Sequence, residues 1–484
     1  MIFPSLDRVK AIAPGYDIVP VYMEILSDVR TPISVLKALK QVSSHTYLLE
    51  SADNSNHWGR YSFLGYDPKI ELFCKNHKMT IKDGTTRTFK CSDPAAEIRN
   101  ILSQYKSPRL EELPTFTGGF VGYFACEYIR YIEPTPDDDS AMVNDVDLML
   151  FDKVIAFDHY KNKIYLIANI STNDLERNYN KAELELKALA DLVVNGKEAD
   201  IPKGILKTEF TSEFTKDEFE AVVKKTQHYI KEGDIFQCVV SNRREAEFDG
   251  SLLNAYRVLR TLNPSPYMFY LSGGDVELTG ASPETLVKLT DGKMYTFPIA
   301  GTMRRGKTEA EDLAIEEKLI NDEKELAEHN MLVDLGRNDL GKIAKFGSVQ
   351  VEALHMLQRF SHVIHITSTV SGDIQDGKDA LDAIGATLPA GTLSGAPKIR
   401  AIEILHELEK SPRGVYGGAV GYIDFSGNMD VCIGIRMAMN KGGKVYVRAG
   451  AGIVRDSVPA SEYNETLIKG QSMISAITDA QEVE

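Results

Sequence analysis

DEKELAEHNMLVDLGRNDLG, residues 322–341, is the stretch on which the fold turns. Upstream of it, Gly301-Thr-Met-Arg-Arg-Gly306-Lys307-Thr308 satisfies the phosphate-cradle pattern GxxxxGK[ST]. That octapeptide follows the strand-like YTFPIA at 295–300 and precedes a helical segment, as a phosphate loop should. Met331–Asp334 (MLVD) would then be the acidic strand that holds Mg2+ in a nucleotide hydrolase. But MLVD continues a helical periodicity begun near Ile315 and carries no strand signal of its own. The flanking strands do not read as a parallel sheet either, so a nucleoside triphosphatase is not expected.

Downstream, β-branched runs alternate irregularly with helices: YMFYL at 267–271, HVIHITSTVSG at 362–372 and KVYVRAGAGIV at 444–454. This spacing disfavours a simple βαβ fold and supports a mixed α and β protein. Upstream, Thr215 and Glu218 fit a capping box that opens a helix lined by Phe219, Val222, Val223, Thr226 and Ile230 and ended by Gly233. DIFQCVVS follows at 234–241. The polar crossing near 196–212, with Asn195-Gly196-Lys197, Pro202 and Gly204, divides the chain into 1–205 and 206–484. At 484 residues, two domains or one large intertwined unit are expected.

Composition narrows the class. Apolar residues make up 43% and charged residues 26%, the balance of a globular protein. The net charge of −15 disfavours nucleic acid and acidic membranes as partners, and an anionic substrate would need a local basic pocket or a metal ion. The five cysteines are scattered without a CxxC pair, as expected of reduced thiols in a cytoplasmic protein. No apolar signal core and no run approaching a membrane span is found.

Two helices carry acidic pairs. Glu325 and Glu328, three apart, face the same way; near the C-terminus Ser461 could cap a helix carrying Glu462, Glu465 and Lys469 on one face. Such pairs suit an oxygen-liganded Mg2+, though their spacing fits solvated glutamates and an ordinary Glu465–Lys469 ion pair equally. His365 shares a strand face with Thr367 and Thr369. ATLPAGTLSGAPKIRAIEIL, 386–405, offers a Thr/Ser/Gly loop and Pro397 at a helix start, which suits either an anion or a tight turn.

Read together, GDIFQCVVSNR, GASPETLV, FPIAGTMRRG, ELAEHNMLVDLGRNDLG, HVIHITSTVSG, LPAGTLSGAPK, VYGGAVGY, IGIRMAM, VRAGAGIV and SEYNETLIKG resemble the chorismate-utilising enzymes across about 215–475. The resemblance implies an α+β fold, a large two-sheet antiparallel β-sandwich flanked by helices. It implies that Glu328 and Glu465 ligate Mg2+, supported by Glu325 and Glu462, and that the metal holds the ring carboxylate of chorismate beside Gly450, Ala451, Gly452 and Lys469. Arg436 and Tyr416 would grip the enolpyruvyl carboxylate, with Thr302 and Thr392 adding polar contacts. Glu284 would be the general acid for departure of the C4 hydroxyl, and His365 would lie near that leaving group.

Within the family, isochorismate and salicylate synthases resemble one another in carrying a lysine where this chain has Gln237, and aminodeoxychorismate synthases typically carry a lysine where it has Ala300. Their replacement implies ammonia as nucleophile and an anthranilate synthase activity at the entry to tryptophan biosynthesis, with aminodeoxychorismate synthase as the alternative. LLES at 48–51 and NPSPYMFY at 263–270 resemble a feedback tryptophan site. It would draw on Glu50, Ser51, Pro266, Tyr267, Met268, Phe269, Tyr422 and Cys432, and residues 1–205 would form a regulatory domain. The second phrase also reads as an aromatic core strand after a double-proline turn. No G-x-C-x-G nucleophile elbow is present, so a separate glutamine amidotransferase subunit is implied, in a two-plus-two heterotetramer.

Overall fold

A computed structural model describes residues 1–51, 59–135, 140–359 and 363–483; the side chain of Thr302 lies outside the described set. Two large sheets, of thirteen and twelve strands among the described residues, form a sandwich in which every strand pair is antiparallel. The chain is α+β, with its helices on the outer faces.

Alternation along single strands decides which core each residue joins. In Tyr267–Gly273, Phe269 and Leu271 point into the core between the sheets, where they meet Val121, Met149, Tyr422 and Cys432. Met268 and Tyr270 point outward, under the helices that supply Leu36, Leu186, Tyr256 and Met473. A third core lies on the outer face of the other sheet, where Ile98, Val333 and Ile384 pack on Leu72, Leu148 and Val287.

Both sheets run across the 205/206 boundary. Thr46–Glu50 pairs with Tyr267–Gly273 in one sheet, and Gly119–Phe124 pairs with Ala419–Asp424 in the other. The two segments are therefore sewn together through main-chain hydrogen bonds, the intertwined arrangement rather than two beads on a string. Crossings between sheets are made by short links. Pro283-Glu284 connects Val276–Ser282 of one sheet to Thr285–Thr290 of the other.

Local signals meet their expected ends with some shifts. Thr215 and Glu218 form the capping box of Lys216–Glu232, and Gly233 closes that helix at φ 87°. The acidic helix is not continuous from Ile315: Glu309–Ile320 stops, and Glu323–Gly341 restarts with the Asp322 carboxylate accepting from the Lys324 and Glu325 N–H groups. The last helix, Pro459–Asp479, begins two residues before the expected Ser461 cap, because proline's fixed φ suits the first helical position.

The phosphate-loop look-alike is explained by its own carboxylates. The Gly306 N–H donates to Asp312 at 2.8 Å and the Lys307 N–H to Glu311, so the donors a phosphate would use are taken. Ile299–Arg304 pairs antiparallel with Val363–Asp373, which no phosphate-loop sheet would do.

One aromatic contact offers a stability test. Tyr47 stands opposite Gly65 in register and lays its ring over it, so a Cβ at Gly65 would lie 2.2 Å from the ring. Gly65→Val should destabilise the protein by about 1–3 kcal/mol through overpacking, read as a lowered Tm. An unchanged Tm would show that the ring moves aside freely.

Candidate active site

Glu284 sits on the link where the chain passes from one sheet to the other, and its carbonyl accepts from Ile433 N at 3.0 Å. Burial raises its carboxyl to about 7, against the opposing pull of the neighbouring Thr392 and Lys469. The Thr392 hydroxyl is itself buried and completes no hydrogen bond of good geometry among the described residues. Glu284, Thr392, Thr296, Leu335 and Asp339 line a cleft of about 40 Å3, room for a few waters. A carboxyl poised near neutrality in such a cleft can deliver a proton at physiological pH.

His365 lies on Val363–Asp373, opposite Thr302 in register. Its Nδ1 is 3.2 Å from the Gly301 carbonyl, and burial lowers its pKa, with Arg436 pushing the same way. The ring is therefore neutral at pH 7, with Nδ1–H donating to Gly301 and Nε2 as the acceptor nitrogen.

Arg436 adopts φ 51°, a left-handed conformation for a non-glycine residue. That turn aims its guanidinium at the last helix, where Nη1 donates to the Lys469 carbonyl at 2.6 Å. Tyr416, buried, has its hydroxyl pushed up to about 12. Two glycines make room here. A Cβ on Gly450 would stand 2.7 Å from the Tyr416 hydroxyl, and one on Gly452 would stand 2.9 Å from Gln237 Nε2. Ala451 between them turns its methyl into a separate core with Phe219 and Ile404, leaving only its backbone on the site side.

Lys469 pairs with Glu465 at 2.5 Å, one turn away on the same helix. Burial raises Glu462, Ser457 relieves it, and Glu465 raises it further; Lys324 also acts on it. Lys324 precedes Glu325, which burial and Glu328 raise in turn. Lys324, in the first turn of the helix that bears Glu325 and Glu328, therefore lies within electrostatic reach of Glu462 on the helix that bears Glu465. All four carboxylates are hard oxygen donors, each pair crowded by like charge, and this chemistry fits a divalent cation such as Mg2+. Among the described residues no three acidic, His or Cys groups are closed into one cage.

The residues expected at a tryptophan site divide between faces. Glu50 is nearly covered: Arg260 Nε lies 2.9 Å and Tyr256 Oη 2.6 Å from its carboxylate, and Ser62 adds a bond at 3.1 Å. It shares the Met268 face, turned toward the helices, so the Met268 side chain lies in the outer core. Tyr267, Phe269, Tyr422 and Cys432 face the space between the sheets. There Tyr267 Oη donates to Asp430 at 2.8 Å and the Tyr422 ring lies 4.3 Å from Phe116. Burial pushes the Cys432 thiol up. Pro266, just ahead of the strand, is half-buried, and the Ser51 hydroxyl is buried without a partner among the described residues.

Sequence reasoning passed over two features beside the site. Lys398 Nζ lies 3.0 and 2.9 Å from the two Asp339 carboxylate oxygens and 2.8 Å from the Thr387 carbonyl, tying the acidic helix to the Thr392 loop. Arg413 holds the same loop from the other side. The signal for the first was two charges on otherwise apolar helix faces. The second lay in what reads as a plain Ser-Pro-Arg-Gly turn.

Residues 45–475 match the chorismate binding enzyme family. An anthranilate synthase component 1 from Acetivibrio thermocellus is 44% identical, with 100% of each chain covered. One from Aquifex aeolicus is 43% identical, covering 99% of this chain and 98% of the relative. The crystal structure of anthranilate synthase component I from Streptococcus pneumoniae superposes with a TM-score of 0.74 at 36% identity, over 93% of this chain and 98% of that one. The menaquinone-specific isochorismate synthase of Escherichia coli shares the fold, with a TM-score of 0.69 at 18% identity over 98% and 99% of the two chains.

Proposed function

This chain belongs to the chorismate-binding enzymes, among the anthranilate synthase component 1 proteins, and on that premise we propose that it aminates chorismate at C2 and eliminates pyruvate to give anthranilate. The observation that carries the reading is Glu284, a carboxyl held near 7 beside Thr392 and Lys469 on the link between the sheets. Such a group can protonate the C4 hydroxyl as it leaves while ammonia adds at C2. Loss of the C2 proton and of the enolpyruvyl group as pyruvate then restores aromaticity.

Each remaining group has a task its geometry suits. Arg436 and Tyr416 would hold the enolpyruvyl carboxylate, the planar guanidinium matching a planar anion. The bare backbone at Gly450–Gly452 lets the ring carboxylate approach closely, with Lys469 alongside. Neutral His365 would accept a hydrogen bond near the departing hydroxyl. Gln237, standing over Gly452, cannot activate water as a lysine would, which favours ammonia as nucleophile. Glu328 and Glu465, with Glu325 and Glu462, would hold Mg2+, which when bound supplies a Lewis-acid grip on the ring carboxylate. The absence of a glutaminase elbow in this sequence and the component 1 names of the relatives support an amidotransferase partner as ammonia source.

The test incubates the purified chain with chorismate, Mg2+ and excess ammonium and follows anthranilate fluorescence. Anthranilate is the expected product. Consumption of chorismate to a para-aminated product would move the assignment to aminodeoxychorismate synthase.

Tryptophan is proposed as feedback inhibitor between the sheets beside Tyr267, Phe269 and Tyr422, its polar end meeting the Ser51 hydroxyl, which is buried without a partner among the described residues. It would act by binding an inactive arrangement preferentially. Ser51→Ala should keep ammonia-dependent activity and raise the tryptophan needed for half-inhibition about tenfold, the value of roughly one lost hydrogen bond. Equal sensitivity in variant and parent would remove Ser51 from the site.

A further inference from the structure

Behind the proposed substrate groups lies a charge network that the reaction scheme leaves unused. Arg413, in SPRGVYGG at 411–418, is only 6% exposed, and Glu409 beside it 5%. The two form a two-pronged pair, Nε to Oε2 at 2.8 Å and Nη2 to Oε1 at 2.6 Å. Glu409 also accepts from the Ser241 N–H and hydroxyl, both at 2.8 Å, and from Arg448 at 3.4 Å. Burial works to raise this carboxylate, yet Arg413 and Arg448 hold it below its ordinary value, so the pair is charged.

What distinguishes Arg413 from an ordinary buried ion pair is where its other donors go. Nη1 donates to the Leu393 carbonyl, one residue from Thr392, at 2.5 Å. Nη2 donates to the Val239 carbonyl at 2.6 Å, and Val239 is the register partner of Gly452. The guanidinium carbon is 5.8 Å from the Tyr416 ring centroid. One planar group thus spans the loop bearing Thr392, the strand pair bearing Gln237 and Gly452, and the ring of Tyr416. Glu409 fixes the plane of the fork from behind, and Glu127 pins the Arg413 main chain through its N–H at 2.6 Å.

We propose that Arg413 is a positioning residue for chorismate, setting the spacing between Thr392, Tyr416 and the Gly450–Gly452 strand without touching substrate itself. The inference rests on the substrate roles proposed above for those groups. A lysine would retain the charge opposite Glu409 but lacks the fixed fork, so it cannot reach both carbonyls in one plane. Groups that bind ground state and transition state alike act on KM more than on kcat. Arg413→Lys is therefore expected to raise the KM for chorismate by about tenfold while kcat stays within about threefold.

The experiment measures chorismate consumption, whatever the product, by the full chain with Mg2+ and ammonium, for wild type, Arg413→Lys, Tyr416→Phe and the double variant. A raised KM in Arg413→Lys, with the two single-variant increases combining less than multiplicatively in the double variant, is the expected result, and independent, fully multiplicative increases would overturn the proposal. A lowered Tm with an unchanged KM would overturn the proposal and leave Arg413 a stabilising ion pair. Should Arg413→Lys not fold, Glu409→Gln decides: it retains the shape of the anchor and loosens the fork, and an unchanged KM there overturns the proposal equally. Wild-type turnover to a product other than anthranilate would sink the anthranilate reading while leaving the KM comparison decisive. A wild type that consumes no chorismate would overturn both.

Discussion

Glu284→Gln is expected to lower kcat for anthranilate formation about a thousandfold while changing the KM for chorismate only a few fold, the size of effect typical of losing a positioned general acid. Glutamine keeps the shape and can still hydrogen-bond the C4 hydroxyl, but it has no proton to give. Hydroxide is a poor leaving group, so the loss falls on the chemical step. The pH dependence gives an independent reading. At an ordinary carboxyl value of 4.5, about one molecule in three hundred would carry the proton at pH 7. Burial raises Glu284 to about 7, which keeps roughly half of it protonated there. The acid form is the active one, so kcat should be level below about pH 7 and fall above it. Thr392 pulls the carboxyl down, so Thr392→Val should move that limb to higher pH. A kcat that is flat through pH 9, or a Glu284→Gln enzyme with near-normal kcat, would remove Glu284 from the acid role.

Removal of divalent cations is expected to abolish turnover. Glu323–Gly341 and Pro459–Asp479 each carry a pair of glutamates within one turn. Glu325 and Glu328 on the first and Glu462 and Glu465 on the second stand with two lysines, Lys324 and Lys469, and burial with like-charge neighbours raises both Glu325 and Glu462. A divalent cation would relieve that repulsion. Chelation should eliminate anthranilate formation and Mg2+ should restore it. Glu328→Gln and Glu465→Gln should each weaken Mg2+ by more than about tenfold, a change comparable to those seen when metal-site partners are removed. Calorimetric titration with Mg2+ in the absence of chorismate reads the same site without relying on turnover. Full activity in excess chelator, or equal Mg2+ affinity in the variants, would sink the assignment.

Much of this protein was legible along the chain because the signals are local. The capping box at Thr215 and Glu218, the strand alternation at 267–271 and the i,i+3 acidic pairs depend on neighbours within one or two turns. The ordered set of motifs fixed the family and with it the two-sheet sandwich. Helix limits slipped where side chains compete with periodicity: Asp322 interrupts the helix running from Glu309, and Pro459 starts the last helix ahead of Ser461.

Other features belong to the tertiary structure alone. No pattern places Arg436 at φ 51° with its guanidinium against the Lys469 carbonyl, because that geometry depends on a helix packed from the far end of the chain. The elevated pKa of Glu284 arises from burial at a sheet crossing, and burial is a property of the assembled molecule. Glu50 and Met268 are neighbours in register that turn to the helices, while Tyr267 and Phe269 face the opposite sheet. Period-two alternation separates those faces, but only the packed sandwich decides which face becomes which. Arg413 is the sharpest case. Within its turn it is one charge beside a proline; folded, it joins the carbonyls of Leu393 and Val239, 154 positions apart in sequence, because two sheets and a helix end meet there. Sequence by itself determined the local capping and alternation signals, the family and the chemical repertoire. Folding determined which of those groups lose water, which find a partner, and which are therefore able to act.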